Sequence, residues 1–267
     1  MRAFIFLILA VLLALPPGSA RAQEVSNRGL LEGFELVAFG REYQPGEKDK
    51  LIRWNGPIKV ALVGKDVPLE FENMIVDHLR DLSLETGLAI NLAYSERLRA
   101  EHRLPKSYRE SPFNLLLIWA PEAQLPATVE KLTKGVFKAA GEAKLLKESK
   151  CHGRALNRKK SGVLYFAYAA FTAELATRTD YDGKKVDPHK FMLTCVNEEL
   201  TQLLGLPNDV SGLSWSLFND DNRVLVLSDP DRWLLRILYD PRMKPGMKRA
   251  DALKMAAKIL AERRPGK

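Results

Sequence analysis

The stretch 185–205, KVDPHKFMLTCVNEELTQLLG, constrains this chain more than any other, because both ends and one face of a helix are written into it. Asp187 can cap the start, Pro188 suits the first turn, and Gly205 followed by Pro207 ends the run. At about 100° per residue, Met192, Cys195, Val196, Leu200 and Leu203 fall on one apolar stripe. Glu199 lies inside that stripe, while Glu198 and Gln202, one turn apart, line its edge. A buried carboxylate is costly unless paired, so Glu199 needs a partner or a raised pKa. That makes it the leading functional candidate in the chain. The plainer reading is a structural glutamate that reaches a backbone amide or an arginine across a sheet.

Strand signals surround this helix. IRWNGPIKVALVG places a β-branched, alternating strand at about Ile58–Val63. PLEFENMIVDHLRDLSLETG has helical spacing through Phe71, Ile75, Leu79 and Leu82, with Gly87 as its C-cap. LAINLAYS reads as a second strand. FNLLLIWA is continuously apolar, which suits a strand covered on both faces. GVLYFAYAAFTA is the longest strand candidate, and a basic helix at about Pro126–Lys147 and a loop through Cys151 precede it. Downstream, SDPDRWLLRILYDP forms a helix capped by Ser228 or Asp229, and a basic amphipathic helix runs from about Arg249 to Arg263. The order argues a twisted α/β or α+β sheet with helices packed on it, the motif-bearing one at about 188–204.

The chain opens with Arg2, thirteen apolar residues from Ala3 to Leu15, and a small-x-small site ending at Ala22. So short a run cannot cross a bilayer core, which needs about 20 residues. It reads as a secretory signal, residues 1–22, which implies a periplasmic or secreted protein without a later transmembrane segment. Residues 23–50 read as a polar leader on the domain surface, 51–247 as the main domain and 248–267 as a basic C-terminal helix. The formal charge of +8 falls to +6 without Arg2 and Arg21. From Lys131 to Lys160 there are ten Lys or Arg against Glu142 and Glu148. That run could meet anionic surfaces weakly, although its ordinary reading is a solvated helix face followed by a flexible loop. The two cysteines, Cys151 and Cys195, most simply pair in an oxidising compartment; the rival is two separate reduced thiols.

Against these residues a resemblance can be set. Glu198-Glu199-x-x-Gln202-x-x-Gly205-x-x-Asn208 is similar in frame to the zinc motif of metzincin proteases, with every histidine replaced. The element order resembles the zincin fold, in which the motif helix packs under the sheet, and with that resemblance the expectation is α+β with a twisted mixed sheet. Ser214–Asp221 looks like the turn beneath the metal, with Phe218 where methionine is usual. A closer resemblance, spanning nearly the whole mature chain, is to an exported proteobacterial family labelled domain of unknown function 2927. It is carried by Arg53-Trp54, Cys195 through Asp209, Ser216 through Asp220, and Leu238 through Met247. That family name implies no activity.

By the metzincin resemblance Glu199 occupies the general base position, while Glu198, Gln202 and Asn208 occupy the ligand positions. These are oxygen donors, poor for zinc and better suited to Ca²⁺, Mg²⁺ or Mn²⁺. Asp209, Asp220 and Asp221 could enlarge the cluster. The histidines do not restore the motif: His78 reads as an exposed helix residue, His102 and His152 lie elsewhere, and His189 starts the helix two turns too soon. Three readings therefore compete. The first is a binding domain on a degenerate zincin-like scaffold, taking a peptide, glycan or periplasmic protein through Glu198, Glu199, Gln202, Asn208, Asp209 and Asp220. The second is a hydrolase with an oxygen-ligated metal and Glu199 as base. The third is a structural network tying the helix to the SLFNDD turn. Nucleic acid is not an expected partner, because the basic run lacks interleaved aromatics.

Overall fold

The apolar runs become one sheet, whose two faces are covered by different helices. The computed structural model describes residues 25–40, 49–105, 112–177, 179–181, 184–219 and 224–267; the expected signal segment 1–22 lies outside them. Among the described residues six strands join: β1 (Arg53–Trp54), β2 (Ile58–Gly64), β3 (Ile90–Tyr94), β4 (Leu115–Ala120), β5 (Cys151–Asn157) and β6 (Val163–Thr172). β4 lies between β2 and β6, all parallel, with Leu115 opposite both Val60 and Ala167. β3 extends the sheet beyond β2, and β1 runs parallel to the first residues of β6. β5 is antiparallel to β6, Cys151 facing Phe171 in the register. The architecture is α+β with a mostly parallel sheet.

Eight helices pack around it: α1 (Asn27–Phe39), α2 (Leu69–Thr86), the short α3 (Glu96–Ala100), α4 (Leu125–Leu132), α5 (Ala139–Glu148), α6 (Pro188–Gln202), α7 (Asp229–Leu238) and α8 (Arg249–Arg263), all within the described residues. Strand alternation divides the core. Leu115, Leu117, Trp119, Ala167, Ala169 and Phe171 join the main cluster with α1, α2, α6, α7 and α8. Ile118, Ala120, Tyr168 and Ala170 point the other way, onto Leu125, Val129, Phe137 and Leu146 of the α4–α5 layer. The apolar run of β4 is thus covered on both faces, as its composition requires. On the main side the Phe71 ring meets Trp119 at 4.5 Å and Phe171 at 5.1 Å. Burying a phenylalanine this fully is worth about 2–3 kcal/mol relative to exposing it.

Three segments differ from the sequence expectation. Within the expected surface leader, α1 buries Leu30, Phe34, Val37 and Phe39, a stripe masked in sequence by charged neighbours such as Arg28 and Glu32. The expected single basic helix is two, because Lys134 (φ 52°) and Gly135 (φ 73°) take left-handed conformations that stop α4 after one further turn. The expected loop through Cys151 is β5, and its strand character comes from pairing with β6 rather than from its own residues.

The second face also holds a buried ionic group. Glu142 on α5 is fully buried, with His152 Nε2 2.7 Å from one carboxylate oxygen and Arg154 Nη1 donating at 3.2 Å to the other. The Tyr168 hydroxyl donates to Glu142 as well. Burial works against the ionised carboxylate. The His152 and Tyr168 hydrogen bonds and the Arg154 charge outweigh it and hold the Glu142 pKa below its ordinary value.

Candidate functional site

Helix α6 forms as its sequence dictates. The Asp187 side chain accepts from His189 N at 3.0 Å, and Pro188 fills the first turn, where a missing N–H costs nothing. At the other end Gly205 adopts φ 114°, and a Cβ there would lie 2.2 Å from the Ile52 carbonyl oxygen, so only glycine lets the chain leave the helix. Met192, Cys195, Val196, Leu200 and Leu203 are buried, and Glu199, only 6% exposed, lies among them. This face packs under β5. Cys195 is disulfide-bonded to Cys151, and Glu199 Oε2 reaches to 3.0 Å from where a Cβ on Gly153 would stand.

The positions in frame with the zinc motif disperse. Gln202 is buried, and its Nε2 donates to Asp209 Oδ1 at 2.7 Å. Asn208 turns the other way: its Nδ2 donates at 3.0 Å to Leu36 O, a terminal carbonyl of α1, and leaves room only for the glycine at position 40. Glu198 is half-buried. Asp220 and Asp221 lie outside the described residues. Among the described residues no group of three or more His, Cys, Asp or Glu side chains gathers as a metal-binding set.

The motif segments converge instead on the C-terminal end of α6. The buried Arg53 guanidinium donates from Nη1 to Leu238 O and Met243 O, both at 2.8 Å, and stacks over the Tyr239 ring at 4.4 Å. Burial lowers its pKa, yet arginine remains charged. Tyr239 OH donates to Leu204 O at 2.8 Å, and Trp54 Nε1 donates to Leu203 O at 2.9 Å. These two carbonyls lie just past the end of α6, where no later helical amide serves them. Asp231, at the start of α7, is fully buried. It accepts from Ser216 Oγ at 2.6 Å, Leu217 N at 3.2 Å and Ser228 N at 3.0 Å, fixing the SLFN turn through a capping box. Burial raises the Asp231 pKa against those hydrogen bonds. In the sequence Arg53-Trp54 and Tyr239 belong to the family-like pattern without an assigned role, and Asp231 lies outside that pattern. The signals in the sequence are Arg53, set among Leu51, Ile52 and Trp54, and the capping-box spacing of Ser228 and Asp231.

His78 overturns its expectation. It is buried at 4% exposure between α2 and α6, with Nε2 2.9 Å from Thr201 Oγ1. The Thr201 proton goes to Asn197 O at 2.6 Å, so His78 donates from Nε2. Burial lowers its pKa to about 4. The helix α2 pattern did not show this, because the face opposite the sheet is covered by α6, a contact distant in sequence.

Beside His78 a groove of about 720 Å³ opens between α2 and the first half of α6. His189, Leu193 and Asn197, four apart along α6, form one wall, a different stripe from Glu198, Glu199 and Gln202. Leu69 and Val226 are exposed at its edges, and Met74 and Leu227 lie deeper. Its acids are Glu70, Asp77 and Asp81, paired at the surface with His189 (3.1 Å), Arg80 (3.0 Å) and Arg232 (3.4 Å).

No curated protein and no solved structure matches this chain. One family does match, over residues 27–258, and that span takes in α1, the Arg53-Trp54 pair, the whole of α6 and the Leu238–Met247 segment that closes on it. The chain therefore belongs to the family described as Protein of unknown function (DUF2927).

Proposed function

We propose that this protein is an exported binding domain on a zincin-like scaffold, and that it holds a short peptide in the groove between α2 and α6. The observation that carries the reading is the division of labour along α6. Gln202 and Asn208, in the ligand frame, spend their amides on Asp209 and Leu36, while the His189–Leu193–Asn197 stripe borders an open groove. The mostly parallel sheet, with one antiparallel edge strand lying over the motif helix, supports the zincin-like scaffold. The apolar run before Ala22 supports export.

The groove suits a peptide with apolar side chains and a lysine or arginine. Leu69, Met74, Leu193 and Val226 give it apolar walls, and three carboxylates stand along it. The Glu70 and Asp77 pairs are exposed and worth roughly 0–1 kcal/mol each, so a ligand cation can replace either partner at small cost.

Selection of a random peptide library on the purified protein tests this, with Val226→Lys as the blocked control. Val226 is half exposed, so the variant keeps its fold. Enriched peptides should carry basic and apolar residues and bind Val226→Lys at least about tenfold more weakly. Absence of enrichment, or equal binding to the variant, would overturn the groove. Metal content is measured on the same preparation. One co-purifying divalent cation per chain, with peptide cleavage abolished by Glu199→Gln, would replace the binding domain with a hydrolase.

A further inference from the structure

We infer that the α4–α5 face, on the side of the sheet away from α6, docks the protein on an anionic lipid surface. The inference is independent of what the groove binds.

Part of the basic run forms the outer side of the α4–α5 layer. Lys131 and Lys134 at the end of α4 and Lys144 and Lys147 on α5 are all exposed, and none has an ion pair among the described residues. Three nearby acids with described side chains are held locally. Glu130 pairs with Lys138 at 3.2 Å and Glu122 with Lys150 at 2.6 Å. Glu142 is drawn wholly inside the protein, where His152, Arg154 and Tyr168 hold it. An exposed carboxylate in the middle of α5 would repel an anionic surface; a buried one removes that charge from the outer face. Arg158, Lys159 and Lys160 add three more exposed cations at the β5–β6 turn.

A second observation selects lipid over a purely ionic partner. The turn between α4 and α5 presents Val136 at 57% exposure, set between Lys134 and Lys138. Two successive left-handed residues, Lys134 and Gly135, build that turn. An apolar tip flanked by lysines matches a headgroup layer, where the ammonium groups meet phosphates and the apolar group enters the acyl boundary. A soluble glycan offers the charge but nothing for Val136. Because α2 and α6 cover the opposite face, docking this way leaves the groove pointing away from the bilayer.

The test is co-sedimentation of the full chain with vesicles of phosphatidylglycerol in phosphatidylcholine, against phosphatidylcholine alone. Binding should appear only with the anionic lipid and weaken as salt rises. The combined variant Lys131→Gln, Lys134→Gln, Lys144→Gln, Lys147→Gln should bind roughly a hundredfold or more weakly, with an unchanged thermal melt. Val136→Ser should weaken binding a further few-fold, and Val226→Lys should leave it unaltered. Equal sedimentation with neutral vesicles, or undiminished binding by the fourfold variant, would overturn the proposal. So would binding to a sulfated polysaccharide or to duplex DNA with no retention on vesicles.

Discussion

From Thr201 to Leu206, the end of α6 is held on every side: His78 meets Thr201, Asp209 meets Gln202, and Trp54 and Tyr239 take the carbonyls of Leu203 and Leu204. One to three turns earlier, Asn197, Leu193 and His189 on the same helix border a groove. The zinc-motif frame, Glu198 to Asn208, spans the closed end, and the groove is lined by residues outside that frame. In this molecule the motif marks how the helix is fastened, and the surface free to bind something is the stretch the motif does not cover.

That contrast can be broken by experiment. Removing the disulfide with Cys151→Ser and Cys195→Ser should cost about 4 kcal/mol for a sequence separation of 44. Denaturant titration of oxidised and mutant protein measures it, and a cost below about 1 kcal/mol would mean that α6 does not depend on its tie to β5. His78 stands where the closed end meets the groove. Its folded pKa of about 4 lies below the ordinary 6.5, so between these values the unfolded chain binds the extra proton. Stability is therefore complete above pH 6.5 and declines as pH falls toward 4, by roughly 3 kcal/mol in all. Urea midpoints measured across that range should slope for the native chain and lose the slope in His78→Gln.

Smaller effects sharpen the comparison. Tyr239→Phe leaves the Leu204 carbonyl and the Trp54 amide without the hydroxyl they share. A loss of about 1–2 kcal/mol is expected by thermal melt. Asn73→Ser and Val226→Lys, at the groove, should stay within about 0.5 kcal/mol of the native chain. If these groove variants cost as much as Tyr239→Phe, the two ends of α6 do not differ in the way described.

The sequence showed what depends on neighbours along the chain. β2, β4 and β6 were visible as apolar runs, and α6 was visible because Asp187, Pro188 and Gly205 mark its ends locally. The burial of Glu199 followed from helical spacing alone. What stayed hidden depends on partners far away. β5 is a strand only against β6, His78 is buried only because α6 lies over it, and Asn208 finds its carbonyl 172 residues earlier in α1. The break between α4 and α5 was hidden for another reason: nothing in the identity of Lys134 requires its left-handed backbone.

β5 borders the sheet, with β6 as its one partner among the described residues, and border strands ordinarily fray first and recruit foreign strands. Here its first residue is riveted to α6 by Cys151–Cys195, and its second is gripped from the opposite side by Glu142. Peeling the strand away would mean dragging the core helix with it. The amides of β5 should accordingly exchange with solvent at the pace of the interior, and the margin of the sheet should resist opening as its centre does.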